Sequence, residues 1–293
     1  MLPTVKPAWF KIRPPLKKPY LKVREVLKEN NLVTVCEEAT CPNIAECWSS
    51  GTATFMILGD TCTRACKFCA TLSAASGEPL DPNEPENLAK AVELLNLKYV
   101  VLTSVDRDDL PDGGSAHFAA CIKACKDRHP DLLTEVLIPD YRNENLKRVV
   151  DARPNVLAHN IETIRRLQLT VRDPRAGYES SLTVLKEAKE MNPNIFTKSA
   201  IMLGLGETKE EVIEAMQDLR NVNCDVLTLG QYLKPKNKHL PVQEYVHPAT
   251  FDELKNIGEK MGFLYLAAGP FVRSSYKAGE LFLKNLMEKN AKL

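Results

Sequence analysis

Thr52-Ala-Thr-Phe-Met-Ile-Leu58 runs into Gly59-Asp-Thr-Cys62-Thr-Arg-Ala-Cys66-Lys-Phe-Cys69, and the reading of this stretch decides the fold. The first half is a short apolar strand ending at Gly59; the second is a loop with three thiols at C-x3-C-x2-C spacing. Such a loop can wrap one corner of a cubane cluster and leave one iron without a protein thiolate. An open iron of that kind binds a substrate or cofactor through its own nitrogen and oxygen atoms. The competing reading is a zinc knuckle completed from a distance, for which neither a C-x-x-C partner pair nor a nearby histidine offers the usual closure.

Downstream, strands and helices alternate. Helices are expected over 84–95, 115–128, 143–150, 180–191, 209–220 and 250–261. The strands between them fall at 99–105, 132–138, 155–159, up to Leu203, 225–229 and 263–267. Short apolar strands separated by amphipathic helices imply an α/β fold with a parallel sheet covered on one face or both. Polar or glycine-rich segments follow most strands, at Gly59-Asp60, 104–114, His159-Asn160, Gly204-Leu-Gly-Glu207 and Gly269-Pro270. That pattern favours a barrel or partial barrel over a doubly wound sheet, with its active site at the carboxyl-terminal rim.

Upstream, Pro3, Pro7, Pro14, Pro15 and Pro19 interrupt any early helix, and a short helix is expected over 22–30. The remainder up to Ser50 reads as an arm carrying a second triplet, Cys36, Cys41 and Cys47. Its spacing is not the redox C-x-x-C pattern. Glu37, Glu38 and Glu46 disfavour packed thiolates unless a metal centre compensates their charge. Each triplet is one ligand short of four.

At 293 residues, 44% of them hydrophobic, the chain can bury a full core. Thirty-nine basic and 38 acidic side chains give a net charge of +1, so no global pull on nucleic acid or membrane is expected. Nothing resembles a signal peptide or membrane span, and clustered cysteines in an odd total of nine point to metal ligation in a reducing compartment. A cytoplasmic location is expected, or an organellar matrix or stroma if a transit peptide is missing. Cys121 and Cys125, four apart on one helix face, read as core packing.

The C-x3-C-x2-C loop resembles the signature of radical S-adenosylmethionine enzymes. That resemblance implies a partial or full (β/α) barrel in which Cys62, Cys66 and Cys69 hold a 4Fe–4S cluster and the unique iron chelates S-adenosylmethionine. Phe68 matches the usual aromatic and is expected against cofactor or cluster. Further motifs are Cys36-Glu-Glu-Ala-Thr-Cys41-Pro-Asn-Ile-Ala-Glu-Cys47-Trp, Gly51-Thr-Ala-Thr-Phe-Met-Ile-Leu-Gly-Asp60 and Ser104-Val-Asp-Arg-Asp-Asp-Leu-Pro-Asp-Gly-Gly114. With His159-Asn-Ile-Glu-Thr163, Gly204-Leu-Gly-Glu-Thr208 and Arg273-Ser-Ser-Tyr276, the chain resembles the lipoyl synthase family from about Asn30 to Ala278.

The resemblance implies two 4Fe–4S clusters and S-adenosylmethionine as cofactors. The auxiliary cluster takes Cys36, Cys41 and Cys47, with Ser275 as fourth ligand and Ser274 as the alternative. It also implies insertion of two sulfur atoms at C6 and C8 of a protein-bound octanoyl-lysine, the auxiliary cluster being the sulfur donor. The implied partners are an octanoylated carrier (glycine cleavage H protein or 2-oxoacid dehydrogenase E2 type) and a reductant such as ferredoxin or flavodoxin. The expected architecture is a partial (β/α)6-type barrel over 52–269, a cysteine-rich arm over 1–51 and a carboxyl-terminal extension over 270–293. The alternatives are another sulfur-inserting radical enzyme, of which biotin synthase is an example, and a zinc-stabilised binding module.

Several polar residues at strand ends have two readings. Asn160 and Glu162 can contact the ribose or amino group of the cofactor. Arg172 either pairs with the methionyl carboxylate or forms a surface ion pair with Asp173. Gly204 and Gly206 either let backbone approach the adenosyl group or form a helix-start turn. Arg273 holds the serine motif or orients substrate, and His159 is a cofactor contact or a satisfied core histidine. Asp106, Arg107, Asp108 and Asp109 read first as a solvated loop, with substrate or cofactor binding as the alternative; the Lys234–Lys238 run also reads as a solvated loop, with contact to an acidic carrier as its alternative.

Overall fold

The computed structural model describes residues 6–10, 17–38, 41–49 and 54–275. The sequence readings on Pro3, Pro14, Pro15, Gly51 and Tyr276 lie outside them. The arm holds α1 (Lys17–Glu29), β1 (Val33–Thr34), α2 (Val35–Glu38) and α3 (Ile44–Ser49). There follow β2 (Thr54–Ile57), two short strands β3 (Thr61–Cys62) and β4 (Leu72–Ser73), and α4 (Glu84–Leu94). Next come β5 (Tyr99–Ser104), α5 (Ser115–Arg128), β6 (Leu133–Leu137), α6 (Asn143–Asp151) and β7 (Val156–Ala158). The chain continues through α7 (Gln168–Val171), α8 (Tyr178–Met191), β8 (Phe196–Leu203) and α9 (Lys209–Asn221). It ends with β9 (Val226–Gln231), α10 (Pro248–Lys260) and β10 (Tyr265–Gly269).

Eight strands form one sheet in the order β1-β2-β5-β6-β7-β8-β9-β10. From β2 onward every neighbour is parallel and the spatial order follows the chain order. A doubly wound sheet would reverse its order at a switch point. Right-handed crossovers between successive neighbours instead stack the helices on one face. Val100, Leu102, Val136, Leu157 and Leu227 meet Leu88, Phe118, Leu146, Met216 and Phe251 in that layer as a single core. The caps are legible locally. Thr208 and Glu211 form a reciprocal capping box at α9, and Asp112 accepts from the amides of Gly114 and Ala116 at the start of α5.

The alternate residues of β5 point to the other face, where charge is buried in a matched set. Lys198 Nζ lies 2.6 Å from Glu135 Oε1, and the Tyr99 hydroxyl donates to Glu135 Oε2 at 2.6 Å. Each group has the partner that burial demands.

The arm is tied into the same structure. β1 pairs antiparallel with β2 (Val33 opposite Met56), so the arm supplies an edge strand. Val23, Val26, Leu27 and the fully buried Trp48 join the main core. Trp48→Ala is therefore expected to destabilise the whole protein by about 3–5 kcal/mol. In urea this would appear as one transition at a lower midpoint; a separate early transition confined to the arm would contradict a shared core.

Candidate functional site

The first triplet is assembled by short local turns. The Cys41 amide donates to Cys36 O at 3.0 Å, and the Cys47 amide to Asn43 O at 2.9 Å, so the three thiols fold back on one another. The chain beyond β10 closes the arrangement. Asn43 Nδ2 donates to Phe271 O at 2.6 Å, and Thr54 Oγ1 donates to Ser275 Oγ at 2.9 Å. Cys36, Cys41, Asn43, Ile44, Cys47, Thr54, Arg273 and Ser275 together line one small cavity. Ser274 does not line it. The close approach depends on Gly230 of β9, where a Cβ would meet Val272 O at 2.1 Å.

Burial dominates the electrostatics of this cavity. It pushes the Cys36 thiol up to about 11, and it raises Cys41 against the opposing amide of Asn43 and the charge of Arg273. Burial likewise lowers Arg273, with Cys41 opposing. Thiols so placed remain protonated until a cation takes the protons' place. Three soft sulfurs and one hydroxyl around a single cavity fit an iron–sulfur cluster with one harder ligand.

The second triplet lies where β2 gives way to the loop through β3. The Arg64 amide points at Cys62 Sγ (3.4 Å) and the Asp173 amide at Cys66 Sγ (3.3 Å), a donor pattern suited to anionic sulfur. Cys62 and Cys66 are pushed up to about 11 and about 12, burial being the largest cause; the Asp106 carboxylate adds to it at Cys62. The loop is anchored at Thr63, whose amide donates to Asp106 O at 2.9 Å. Ala65 is held by Asp173 Oδ2 at 2.9 Å, and Lys67 by Val171 O at 2.9 Å. The donor set again fits an iron–sulfur cluster.

Arg64, between the first two cysteines, is the hub of the charges below. It is 3.3 Å from Asp106 and 3.0 Å from Asp108, and it also contacts Asp140. Arg107 is buried, chelates Asp109 and donates to Leu58 O at 3.0 Å. The charges of segment 106–109 are paired and hold the cysteine loop and the end of β2, while Asp108 and Asp109 keep exposed surface.

The remaining sequence-derived residues divide. Asn160 and Glu162 face each other, with Asn160 Nδ2 donating to Glu162 Oε1 at 3.0 Å. Burial raises the Glu162 carboxyl, with Arg172 opposing. Arg172 is buried and donates to Ser181 Oγ (2.8 Å) and Gln168 Oε1 (3.3 Å). Of the two readings of Arg172, the ion pair with Asp173 is absent among the described residues; Arg175 takes that carboxylate at 2.8 Å. Phe68 packs against an apolar cluster with Val171, Leu205, Tyr232 and Val242. Gly204 and Gly206 both have positive φ, and a Cβ on Gly204 would strike Gln231 and Glu244 O. Packing by the protein itself therefore requires a glycine at 204. Glu207 is not a first-turn acid: it folds back to accept from the amides of Gly204 and Leu205. His159 is a satisfied core histidine, 2.9 Å from Ile138 O and 3.0 Å from Ser181 Oγ. Cys121, Cys125 and Cys224 are fully buried.

Sequence reasoning passed over Thr54, Asn43, Arg64 and Asp140, and it weighed Asp173 only as a partner for Arg172. Arg64 alone carried a signal, as a cation between metal-ligand cysteines. Glu84, His117 and Cys121 also bring three donor atoms within 4.8 Å of one another. This group lies between α4 and α5, apart from both triplets in the sequence. Its Glu84 Oε2 is engaged by the Leu58 amide and by His117 Nε2.

Residues 56–219 match the Radical SAM superfamily. Over 289 residues the chain is 57% identical to "Lipoyl synthase, apicoplast" of Plasmodium knowlesi, covering 98% of this chain and 65% of that protein. The chain thus spans just under two thirds of that relative's length. It is 54% identical to "Lipoyl synthase, chloroplastic" of Arabidopsis thaliana, covering 97% of this chain and 74% of the relative. It is 53% identical to "Lipoyl synthase" of Methanocella arvoryzae, covering 95% of each. Among solved structures, methylornithine synthase superposes with a TM-score of 0.58 at 13% identity, covering 84% of this chain and 74% of that one. Streptococcus suis SuiB bound to its precursor peptide superposes at 0.57 and 12% identity, covering 85% and 52%. At these identities the likeness is one of fold.

Two outcomes follow from the geometry. Gly230→Ala should drive the Val272 carbonyl away, costing about 1–3 kcal/mol of stability and opening the Ser275 side of the cavity; denaturation and thiol-alkylation rates at Cys41 would report both. Asp140 is held below the usual carboxylate range: burial raises it, but His159 and Arg64 outweigh that. Its stabilisation is thus complete above the unfolded value of about 3.9 and lost as pH falls through the lower folded value. Asp140→Asn should cost about 3 kcal/mol at neutral pH and flatten the acid limb of the stability–pH curve.

Proposed function

The chain belongs to the lipoyl synthase family within the radical S-adenosylmethionine superfamily, and from that premise we propose that it inserts sulfur at C6 and C8 of a protein-bound octanoyl-lysine. The observation that carries this reading is the meeting of Ser275 with Cys36, Cys41 and Cys47 around one cavity, more than 200 residues apart in the chain. When bound, S-adenosylmethionine and two 4Fe–4S clusters supply a hydrogen-abstracting radical and the sulfur. Unactivated C–H bonds offer no acidity for a general base, so a radical route is chemically required.

The chain's own residues do the holding. Cys62, Cys66 and Cys69 bind the cluster that takes the cofactor. The amides of Arg64 and Asp173 stabilise their charge. Asn160, Glu162 and the buried Arg172 stand near the cofactor's polar groups; Arg172, whose hydrogen-bond partners among the described residues are neutral oxygens, suits a carboxylate. Gly206, with only Gln243 Cγ near its missing Cβ, leaves room for a ligand. Cys36, Cys41, Cys47 and Ser275 hold the auxiliary cluster, and Arg273 beside them balances its charge. An alkoxide is a harder ligand to iron than a thiolate, which suits a cluster that must give up sulfur.

The singly wound sheet is read as a partial barrel over 52–269, with the arm and the carboxyl-terminal extension completing the auxiliary site. An octanoylated H-protein or E2-type domain is the proposed carrier, with ferredoxin or flavodoxin as reductant. The curated relatives named for apicoplast, chloroplast and mitochondrion favour an organellar matrix or stroma over the cytoplasm for this chain.

Anaerobic reconstitution with iron and sulfide counting, then turnover with an octanoyl-lysyl peptide, tests the reading. Two 4Fe–4S clusters and a doubly sulfurated peptide are expected. Cys62→Ala should abolish formation of 5′-deoxyadenosine, whereas Cys41→Ala should retain it while losing sulfur insertion. Ser275→Ala should lower auxiliary-cluster occupancy where Ser274→Ala does not. Zinc in place of iron at the triplets would overturn the proposal.

A further inference from the structure

Leu58 is the last residue before the glycine that opens the cysteine loop, and its backbone is in the left-handed region at φ 68°. For a bulky residue this conformation is disfavoured and persists only where the surroundings impose it. The surroundings here are charged groups from two directions. The Leu58 amide donates to Glu84 Oε2 at 3.1 Å, and its carbonyl accepts from Arg107 Nη1 at 3.0 Å. Both clamping groups are themselves fixed. Glu84 Oε2 lies 2.7 Å from His117 Nε2, and Arg107 is chelated by Asp109 through two bonds of 2.9 Å. The Leu58 side chain is seated against Gly114, where a Cβ would come within 2.8 Å of Leu58 Cδ1.

The geometry points to Glu84 and Arg107 as positioning residues that lock the Leu58 peptide units and thereby aim Cys62 at the mouth of the sheet. This inference rests on the reading of the Cys62 triplet as the cofactor-binding site. Charge-assisted hydrogen bonds at both the N–H and the C=O of one residue are stronger than neutral ones. They replace the conformational freedom that glycine would otherwise supply at this turn. The next residue, Gly59, also has positive φ and nothing within 4 Å of its missing Cβ, so the turn set at Leu58 continues into the cysteine loop without steric conflict. The Glu84–His117–Cys121 group then has a role without metal: its carboxylate is already shared between the Leu58 amide and the imidazole. Arg107 connects the clamp to the cluster loop a second time, because the carbonyl of neighbouring Asp106 accepts the Thr63 amide.

The test uses the full metal-free chain and a thiol-alkylating reagent, with the rate at each cysteine followed by peptide mass spectrometry. Glu84→Ala should speed alkylation at Cys62 on the order of tenfold while leaving the buried Cys121, Cys125 and Cys224 unreactive; loosening of the whole fold would instead raise all of them. Glu84→Gln, whose amide oxygen still accepts from Leu58, should stay within about twofold of wild type. If Glu84→Ala does not accumulate folded, Arg107→Met reads the other half of the clamp by the same ratio. Equal Cys62 rates in wild type and either clamp variant, or parallel increases at the core cysteines, would overturn the inference. A second arm separates it from the functional reading. In reconstituted protein, S-adenosylmethionine should perturb the electron paramagnetic resonance of the reduced cluster, and Glu84→Ala should weaken that titration about tenfold. A wild type that binds no cofactor while its Cys62 rates still shift would refute the functional reading and leave the clamp standing.

Discussion

A guanidinium taken out of water must find negative partners, and Arg64 finds three: Asp106 and Asp108 beyond β5, and Asp140 beyond β6. That requirement organises the carboxyl-terminal edge of the sheet. The pairing holds Arg64 firmly charged and pulls the Asp108 carboxyl below its usual range. Asp106 goes the other way, raised because burial outweighs Arg64. The same loop that presents Cys62 and Cys66 is therefore bolted to the ends of two neighbouring strands. Buried pairs contribute little as net stability but leave a large penalty if one partner is removed, which makes them effective for fixing one geometry.

The two cysteine sites share a physical condition and differ in what meets it. In both, burial keeps thiols protonated far above neutral pH, so any metal bound there would displace protons. At Cys62 and Cys66 the nearest help comes from backbone amides. At Cys41 it comes from the Asn43 amide and the buried guanidinium of Arg273, and at Cys36 from the Thr54 amide and the Trp48 side chain. The first site is built within one loop. The second joins an amino-terminal arm to the residues beyond the last strand, and it forms only because β1 pairs with β2 and Gly230 lets the Val272 carbonyl through.

The strand–helix alternation was legible because apolar runs of four to eight residues between amphipathic segments leave few other solutions. Every parallel strand expected from that rhythm is present, and the monotonic strand order agrees with the preference for single winding. What misled were charged and glycine-rich segments judged alone. Asp106 to Asp109 looked solvated because a sequence does not show that Arg64 arrives from another loop or that Arg107 turns inward to Leu58. Arg172 beside Asp173 left a local pair open as one of two readings, and neighbours in a chain diverge: one guanidinium turns inward to Ser181 while Arg175 claims the carboxylate. At Gly204 the packing of Gln231 and the Glu244 carbonyl already requires a glycine.

The sequence by itself determined which atoms are available: six thiols in two spacings, a serine pair far downstream, and the alternation that places loops at one edge of a parallel sheet. Those follow from local chemistry, since ligand type and short-range spacing are properties of neighbouring residues. Only the tertiary structure decided that Ser275 rather than Ser274 faces the cavity, that Thr54 holds its hydroxyl, and that Leu58 is clamped between Glu84 and Arg107. Each of these is a contact between distant parts of the chain. Its existence depends on sheet order, on which face a side chain takes, and on whether a glycine lets two backbones meet.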